Sequence, residues 1–280
     1  MEISAKLVKE LRDSTGAGMM DCKKALVEAN GDFAKAEKLL KEMGLAAVAK
    51  RAGRATNNGR AFTLVKNGKA VILEMACETD FVARNLDFIA LGEELCNDVI
   101  ENNYTEIVPA LNSKVELLIT KIKENMSLKR FNVWDVDSST LVSEYVHGEG
   151  TLATMVALHA SDPSVLAHES VTVLANDLAL HVAAFSPLYL DKSNVDADYI
   201  KENTEIFTTQ TLALGKPEKV VAGIVAGKLN KHFTEICFLQ QSFVKDDSIS
   251  VEKAVADVSK EVGATLKVLK YSLFKVGVEA

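Results

Sequence analysis

Cys77 and His147 are the side chains from which a nucleophilic reaction would be built, a thiol attacking while an imidazole takes its proton. Both fall on stretches that read as strands or their turns. Their setting argues against it. Glu78 and Asp80 flank Cys77, and negative neighbours raise a thiol's pKa and blunt it. The four cysteines, Cys22, Cys77, Cys96 and Cys237, show no Cys-x-x-Cys spacing, so neither a zinc site nor a disulfide framework is expected. A Gly-x-Ser-x-Gly elbow, a His-Glu-x-x-His pair and a dinucleotide fingerprint are absent from the sequence. Gly16 and Gly18 suggest a phosphate loop, but no strand precedes them and the Walker spacing is missing. The expectation is a protein that is not an enzyme and uses no metal or cofactor.

A different chemistry is offered by Glu74-Met75-Ala76-Cys77-Glu78-Thr79-Asp80-Phe81-Val82-Ala83-Arg84. A strand arrives here and a helix leaves. Thr79 or Asp80 supplies a side-chain oxygen that caps the free N–H groups of the new helix. Side chains lean toward a helix N-terminus, so a ring at Phe81 overhangs the helix end. Read as residues alone, this is a cap followed by core, with Phe81 joining Phe88, Leu95 and Val99. The other reading is a carboxylate and an aromatic ring offered to a partner.

The elements that position this stretch follow from local signals. Asn67-Gly68 is a hairpin turn, so Ala61–Lys66 and Lys69–Ala76 read as antiparallel strands. A helix is expected from Phe81 to about Glu101, with Val82, Leu86, Ile89, Cys96 and Ile100 on its apolar face. The pattern then recurs. Leu141–Val146 and Leu152–Leu158 flank His147-Gly148-Glu149-Gly150, and a helical stretch follows to Phe185. Two similar α+β subdomains with antiparallel sheets are expected, joined by a helix over Asn112–Asn125. His181, on an apolar helix, reads as a hydrogen-bonded core residue.

Ahead of this core, three short helices make a small bundle. The third is expected to stop at Gly44, and the polar, basic run after it reads as a linker. Behind the second hairpin, Gly215-Lys216-Pro217 separates two helices, with Ile200, Ile206, Phe207 and Leu214 facing Val220, Val221, Ile224 and Val225. This helical hairpin is expected to protrude. Strands are expected at Glu235–Leu239 and Gln240–Val244, then a helix capped by Ser250 and ended by Gly263, then a last strand. The domain expectation is a bundle over 1–50, a linker over 51–60, and core subdomains over 61–140 and 141–280, the second holding the hairpin 196–231.

The net charge of −7 is uneven: residues 1–60 carry 12 Lys and Arg against 8 Asp and Glu, the remainder 20 against 31. An acidic body argues against nucleic acid as a partner. No apolar run approaches the ~18 residues of a membrane helix. Met1-Glu2-Ile3-Ser4-Ala5-Lys6 has no signal core. A cytoplasmic protein without a membrane or nucleic-acid partner is expected.

The stretch Glu74–Arg84, together with Leu11–Leu26 and its Thr15-Gly16-Ala17-Gly18-Met19-Met20-Asp21-Cys22-Lys23-Lys24, resembles the signatures of bacterial translation elongation factor Ts. His147-Gly148, His181-Val182-Ala183-Ala184 and Gln241-Ser242-Phe243-Val244 match further segments of that family. The resemblance covers nearly the whole chain. It implies a ubiquitin-associated-like head, a coiled-coil arm, and guanine-nucleotide exchange on elongation factor Tu in its GDP-bound and nucleotide-free forms. It implies that Thr79, Asp80, Phe81 and Val82 dislodge magnesium and GDP from that partner. It implies partner contacts at Met19, Met20, Lys23, Ile122, Asn125, His147, Phe243 and Val244. Ala76 and Lys123 depart from the family pattern, the latter standing where well-known members carry Gly. The rival class is a helical-bundle adaptor that uses the head alone.

Overall fold

Ser4 and Asp32 each precede a helix, and each caps it with its side chain. In the computed structural model, which describes residues 3–278, Ser4 Oγ accepts from the Leu7 N–H and starts α1 (Ala5–Thr15). Asp32 accepts from the Lys35 N–H and starts α3 (Phe33–Arg51). Between them α2 (Met19–Glu28) begins ahead of Asp21, so both methionines are helical. Val8, Leu11, Cys22, Leu26 and Leu40 form the core of this head.

The third helix does not stop at Gly44. It runs on to Arg51, and the reason is close packing. A Cβ at position 44 would lie 2.7 Å from Cγ2 of Thr120, so glycine here admits a neighbouring helix rather than ending its own. The next strand starts at Asn58, which shortens the irregular connector to residues 52–57.

Strands β1 (Asn58–Lys66) and β2 (Lys69–Cys77) pair antiparallel, with Lys66 opposite Lys69 and Asn58 opposite Cys77. Asn67 and Gly68 both take positive φ, 53° and 71°, as a tight hairpin turn requires. After β2 the expected single helix is two. The turn α4 (Asp80–Ala83) ends at Arg84, and Asn85 opens α5 (Leu86–Glu101) by accepting from the Asp87 N–H at 2.8 Å. This break throws Leu86 outward, 82% exposed, although it was expected on the apolar face. Helix α6 (Pro109–Ile122) and strand β3 (Met126–Asp135) follow, and the sheet has the order β1-β2-β3. Phe62, Leu73, Met75, Phe88, Leu95 and Val99 fill the core between sheet and helices.

By contacts the chain divides into two compact units. The first holds Met1–Trp134, Gly148–Leu152 and Phe274–Ala280, the second Asp135–His147 and Ala153–Leu273. The hairpin-then-helix pattern recurs in β4 (Thr140–His147), β5 (Leu152–Ala160) and α7 (Glu169–Phe185), with a 3-10 turn over Pro163–Ala167.

Helices α8 (Ala197–Ala213) and α9 (Glu218–Ile236) form a hairpin that packs chiefly on itself. Thr211, Val221 and Val225 are buried in it, whereas Ile206, Leu214 and Val220, expected in the seam, are exposed. The strand expected at Glu235–Leu239 is not formed. Helix α9 runs to Ile236, whose carbonyl accepts from the Leu188 and Tyr189 N–H groups, and a 3-10 turn covers Phe238–Gln240. Strands β6 (Ser242–Phe243) and β7 (Asp246–Ser250) make a short antiparallel pair. Ser250 then caps α10 (Val251–Val262), Gly263 ends it, and β8 (Leu266–Lys275) completes the sheet β4-β5-β8. The fold is α+β, with a helical head, antiparallel pairing and a helical hairpin.

Candidate functional site

The turn at the end of β2 is fixed from three directions. Thr79 is extended, and its Oγ1 accepts from the Val82 N–H at 3.4 Å while donating to the Glu124 carboxylate, 3.0 Å from each oxygen. Glu78 Oε1 accepts the Asn125 N–H at 2.6 Å and meets Arg54 Nη1 at 3.3 Å. The Glu78 carbonyl accepts from Asn58 Nδ2 at 2.8 Å, and Asn125 Nδ2 donates to the Arg54 carbonyl at 2.7 Å. A charged group bonded to a backbone N–H holds harder than a neutral one. The base of the turn is rigid.

On this base a single helical turn sorts its side chains. Val82 points into the core, while Phe81 is 81% exposed. Apolar rings gain from leaving water, so a Phe held out by a capped turn is apolar surface that this unit's own packing does not use, and Leu86 stands equally exposed at the start of α5. Asp80 is exposed beside it and pairs with Arg84 Nη2 at 3.6 Å, and Arg84 Nε reaches Glu149 Oε2 at 3.2 Å. An apolar ring thus stands among exposed, paired charges.

Cys77 lies under the turn. Burial first, then the charge of Glu124, push its thiol up to about 12, and the protonated Sγ–H donates to the Thr79 carbonyl at 3.1 Å. Such a thiol does not supply thiolate near neutrality.

Two expected partner residues belong to this arrangement. Asn125 is buried and acts as the tie just described, and Ile122 is half-buried against the core. On the head, Met19 is 43% and Met20 65% exposed, and Lys23 is exposed on the same helix.

In the second unit, His147 is exposed at the end of β4, its Nδ1 3.0 Å from the Tyr145 hydroxyl. Phe243 is buried and Val244 half-buried, because both are engaged by His181. The Val244 N–H reaches His181 Nδ1 at 3.2 Å, which leaves Nε2 to donate to Gln241 Oε1 at 3.0 Å. The Phe243 ring stacks on the imidazole at 6.3 Å, and Phe185 lies at 4.6 Å. Burial lowers the His181 pKa, so the neutral ring these bonds need is the stable one.

Sequence reasoning did not find the roles of Glu124 and Arg54, nor that Gln241, which opens a segment matching the family, is the partner of His181. Their partners are far along the chain, and no local pattern marks them. Among the described residues, no three His, Cys, Asp or Glu side chains group to hold a metal ion, and no helix is long and apolar enough to cross a membrane.

Set beside known proteins, the chain falls among the translation elongation factors. A family model described as "Elongation factor TS" matches residues 78–278. Elongation factor Ts of Treponema denticola is 48% identical over 277 residues, covering 99% of each chain. That of Borrelia hermsii is 42% identical over 278 residues, covering 99% of this chain and 100% of the relative. The same protein of Treponema pallidum is 42% identical over 290 residues, covering all of both. The chain belongs to the elongation factor Ts family.

Proposed function

We propose that this chain is a guanine-nucleotide exchange factor for elongation factor Tu, engaging its GDP-bound and nucleotide-free forms and promoting GDP release by displacing Mg2+ at the nucleotide site. The observation that carries this reading is Phe81, an exposed ring on a turn whose base is rigidly tied. Exchange asks for no bond-making group. A protein that holds the nucleotide-free partner more tightly than the GDP-bound one lowers GDP affinity by the same factor.

In this reading Phe81 is the wedge, and Asp80 perturbs the magnesium site electrostatically. Val82 anchors the turn, and Thr79 caps it. Met19 and Met20 give an adaptable apolar contact, with Lys23 adding charge. Ile122 and Asn125 act from below, by shaping the loop that holds the turn. His147 offers a polar contact at a strand end. Phe243 acts from inside, fixing the short β6–β7 pair, and leaves Val244 nearer the surface. The chain works as a binding protein in the cytoplasm, with no cofactor and no nucleic-acid or membrane partner.

The test is release of a fluorescent GDP from elongation factor Tu, with the chain added in increasing amounts. Faster release with the wild-type chain and not with Phe81→Ala supports the wedge. No acceleration by the wild-type chain would refute the exchange reading.

A further inference from the structure

We infer that Lys121 and Lys123, at the C-terminal end of α6, latch the helical head onto the first unit, so that Met19 and Met20 are presented together with Asp80 and Phe81 as one preorganised surface. The inference rests on the exchange reading for what that surface is used for. The latch itself stands on geometry.

Lys123 Nζ meets Asp21 Oδ2, on the first turn of α2, at 2.7 Å. The loop just before that turn is shaped for the approach. A Cβ at Gly18 would lie 3.2 Å from Asp21 Oδ2 and 3.6 Å from Lys123 Nζ. A Cβ at Gly16 would touch Lys121 Cγ at 3.7 Å. The Lys121 stem therefore lies over the loop, and its amine pairs with Asp87 Oδ2, at the start of α5, at 2.8 Å. One residue earlier, Thr120 fills the space that Gly44 leaves on α3. Three consecutive parts of the head, loop, α2 and α3, thus meet the last residues of one helix.

Lys123 is also held in a conformation that lysine seldom takes. Its φ is +67°, in the left-handed region where a Cβ is unfavourable. Glycine would end α6 there with less strain. The residue after it is Glu124, which holds the Thr79 hydroxyl, and the next is Asn125, which Glu78 holds. A short, strained segment therefore carries both the ion pair to the head and the ties to the wedge turn. Preorganisation of this kind raises affinity by lowering the cost of ordering on binding.

The experiment uses the full chain and three substitutions, Lys123→Glu, the double Lys123→Glu with Asp21→Lys, and Lys123→Gly. Nitrogen-15 relaxation of head amides reports whether the head tumbles with the unit, and a titration of GDP release from elongation factor Tu reports half-maximal concentration and maximal rate. Lys123→Glu is expected to raise the population of released head about 1.5- to 5-fold, the span of an exposed ion pair. The half-maximal concentration rises by a similar factor at unchanged maximal rate. The charge-swapped double variant restores both. Lys123→Gly melts at or above the wild-type temperature, having shed the backbone strain, yet loosens the head, which separates the latch from folding.

Unchanged head relaxation in Lys123→Glu, or no rescue in the double variant, overturns the latch. A loosened head with an unchanged half-maximal concentration overturns the joint surface. If the wild-type chain releases no GDP, the exchange reading fails instead, and the relaxation arm still judges the latch.

Discussion

The Thr79 hydroxyl is held between Glu124, to whose carboxylate it donates, and the Val82 N–H, from which it accepts. One oxygen therefore both caps α4 and fastens it to the loop after α6. Thr79→Val keeps the shape and removes both bonds. Loss of an N-cap costs about 1 kcal/mol, which lowers the melting temperature of a chain this size by about 2–4 °C. GDP release should slow as the turn loses its hold, while Thr79→Ser stays near wild type. Thermal melts and release assays on both variants check this. Wild-type release from Thr79→Val would mean the turn works untied.

Phe81 and Phe88 separate surface from core within one segment. Phe88 is fully buried and Phe81 is not. Phe88→Ala should cost about 3–5 kcal/mol of stability. Phe81→Ala should leave melting unchanged and slow release. Burying a ring in a partner is worth roughly 1.5–3 kcal/mol, and at about 1.4 kcal/mol per factor of ten that is roughly 10- to 150-fold. Melting and stimulated release on the same samples distinguish them. A drop in melting for Phe81→Ala at constant release would return that ring to a structural role.

His181 makes stability depend on pH. Its pKa is lowered by burial in the native state, so on acidification the unfolded chain takes up the proton first. Its contribution is full above the ordinary value of 6.5 and is lost as pH falls from there through the lowered native value. Urea unfolding across this range should show a slope that His181→Gln reduces. An identical slope in the variant would assign the dependence to other groups.

The helical hairpin has an internal seam and a buried root. Val195, Ile236 and Cys237 form a small core with Tyr189 and Tyr199, and the Tyr199 hydroxyl bonds His232 Nε2 at 2.9 Å. Replacing residues 203–230 by a short Gly-Ser linker keeps that root. Strand signal and melting of the remainder should persist by circular dichroism. A deletion reaching Ile236 should instead release the Leu188 and Tyr189 N–H groups and lower melting by several degrees.

The features legible in the sequence were those whose cause is local. Asn67-Gly68 dictated the first hairpin because both residues readily take the positive φ that a tight two-residue turn uses. Thr79, Ser250 and Gly263 marked helix ends through bonds spanning three or four residues. His181 read correctly as a bonded core histidine, although its partners Gln241 and Val244 did not show. Tertiary structure decided the rest. Gly44 is identical in sequence terms to a helix stop, and only the approach of Thr120 makes it a packing residue. Leu86 had the right spacing for the core until the cap at Asn85 turned the helix away. Glu235–Leu239 had strand character but pairs as an isolated parallel bridge, Cys237 with Tyr189, rather than as a strand. Phe81 and Phe88 are the same side chain seven positions apart, and nothing in their types says which is outside. Side-chain type and spacing fix a residue's preferences, but burial is a property of what arrives from elsewhere in the chain.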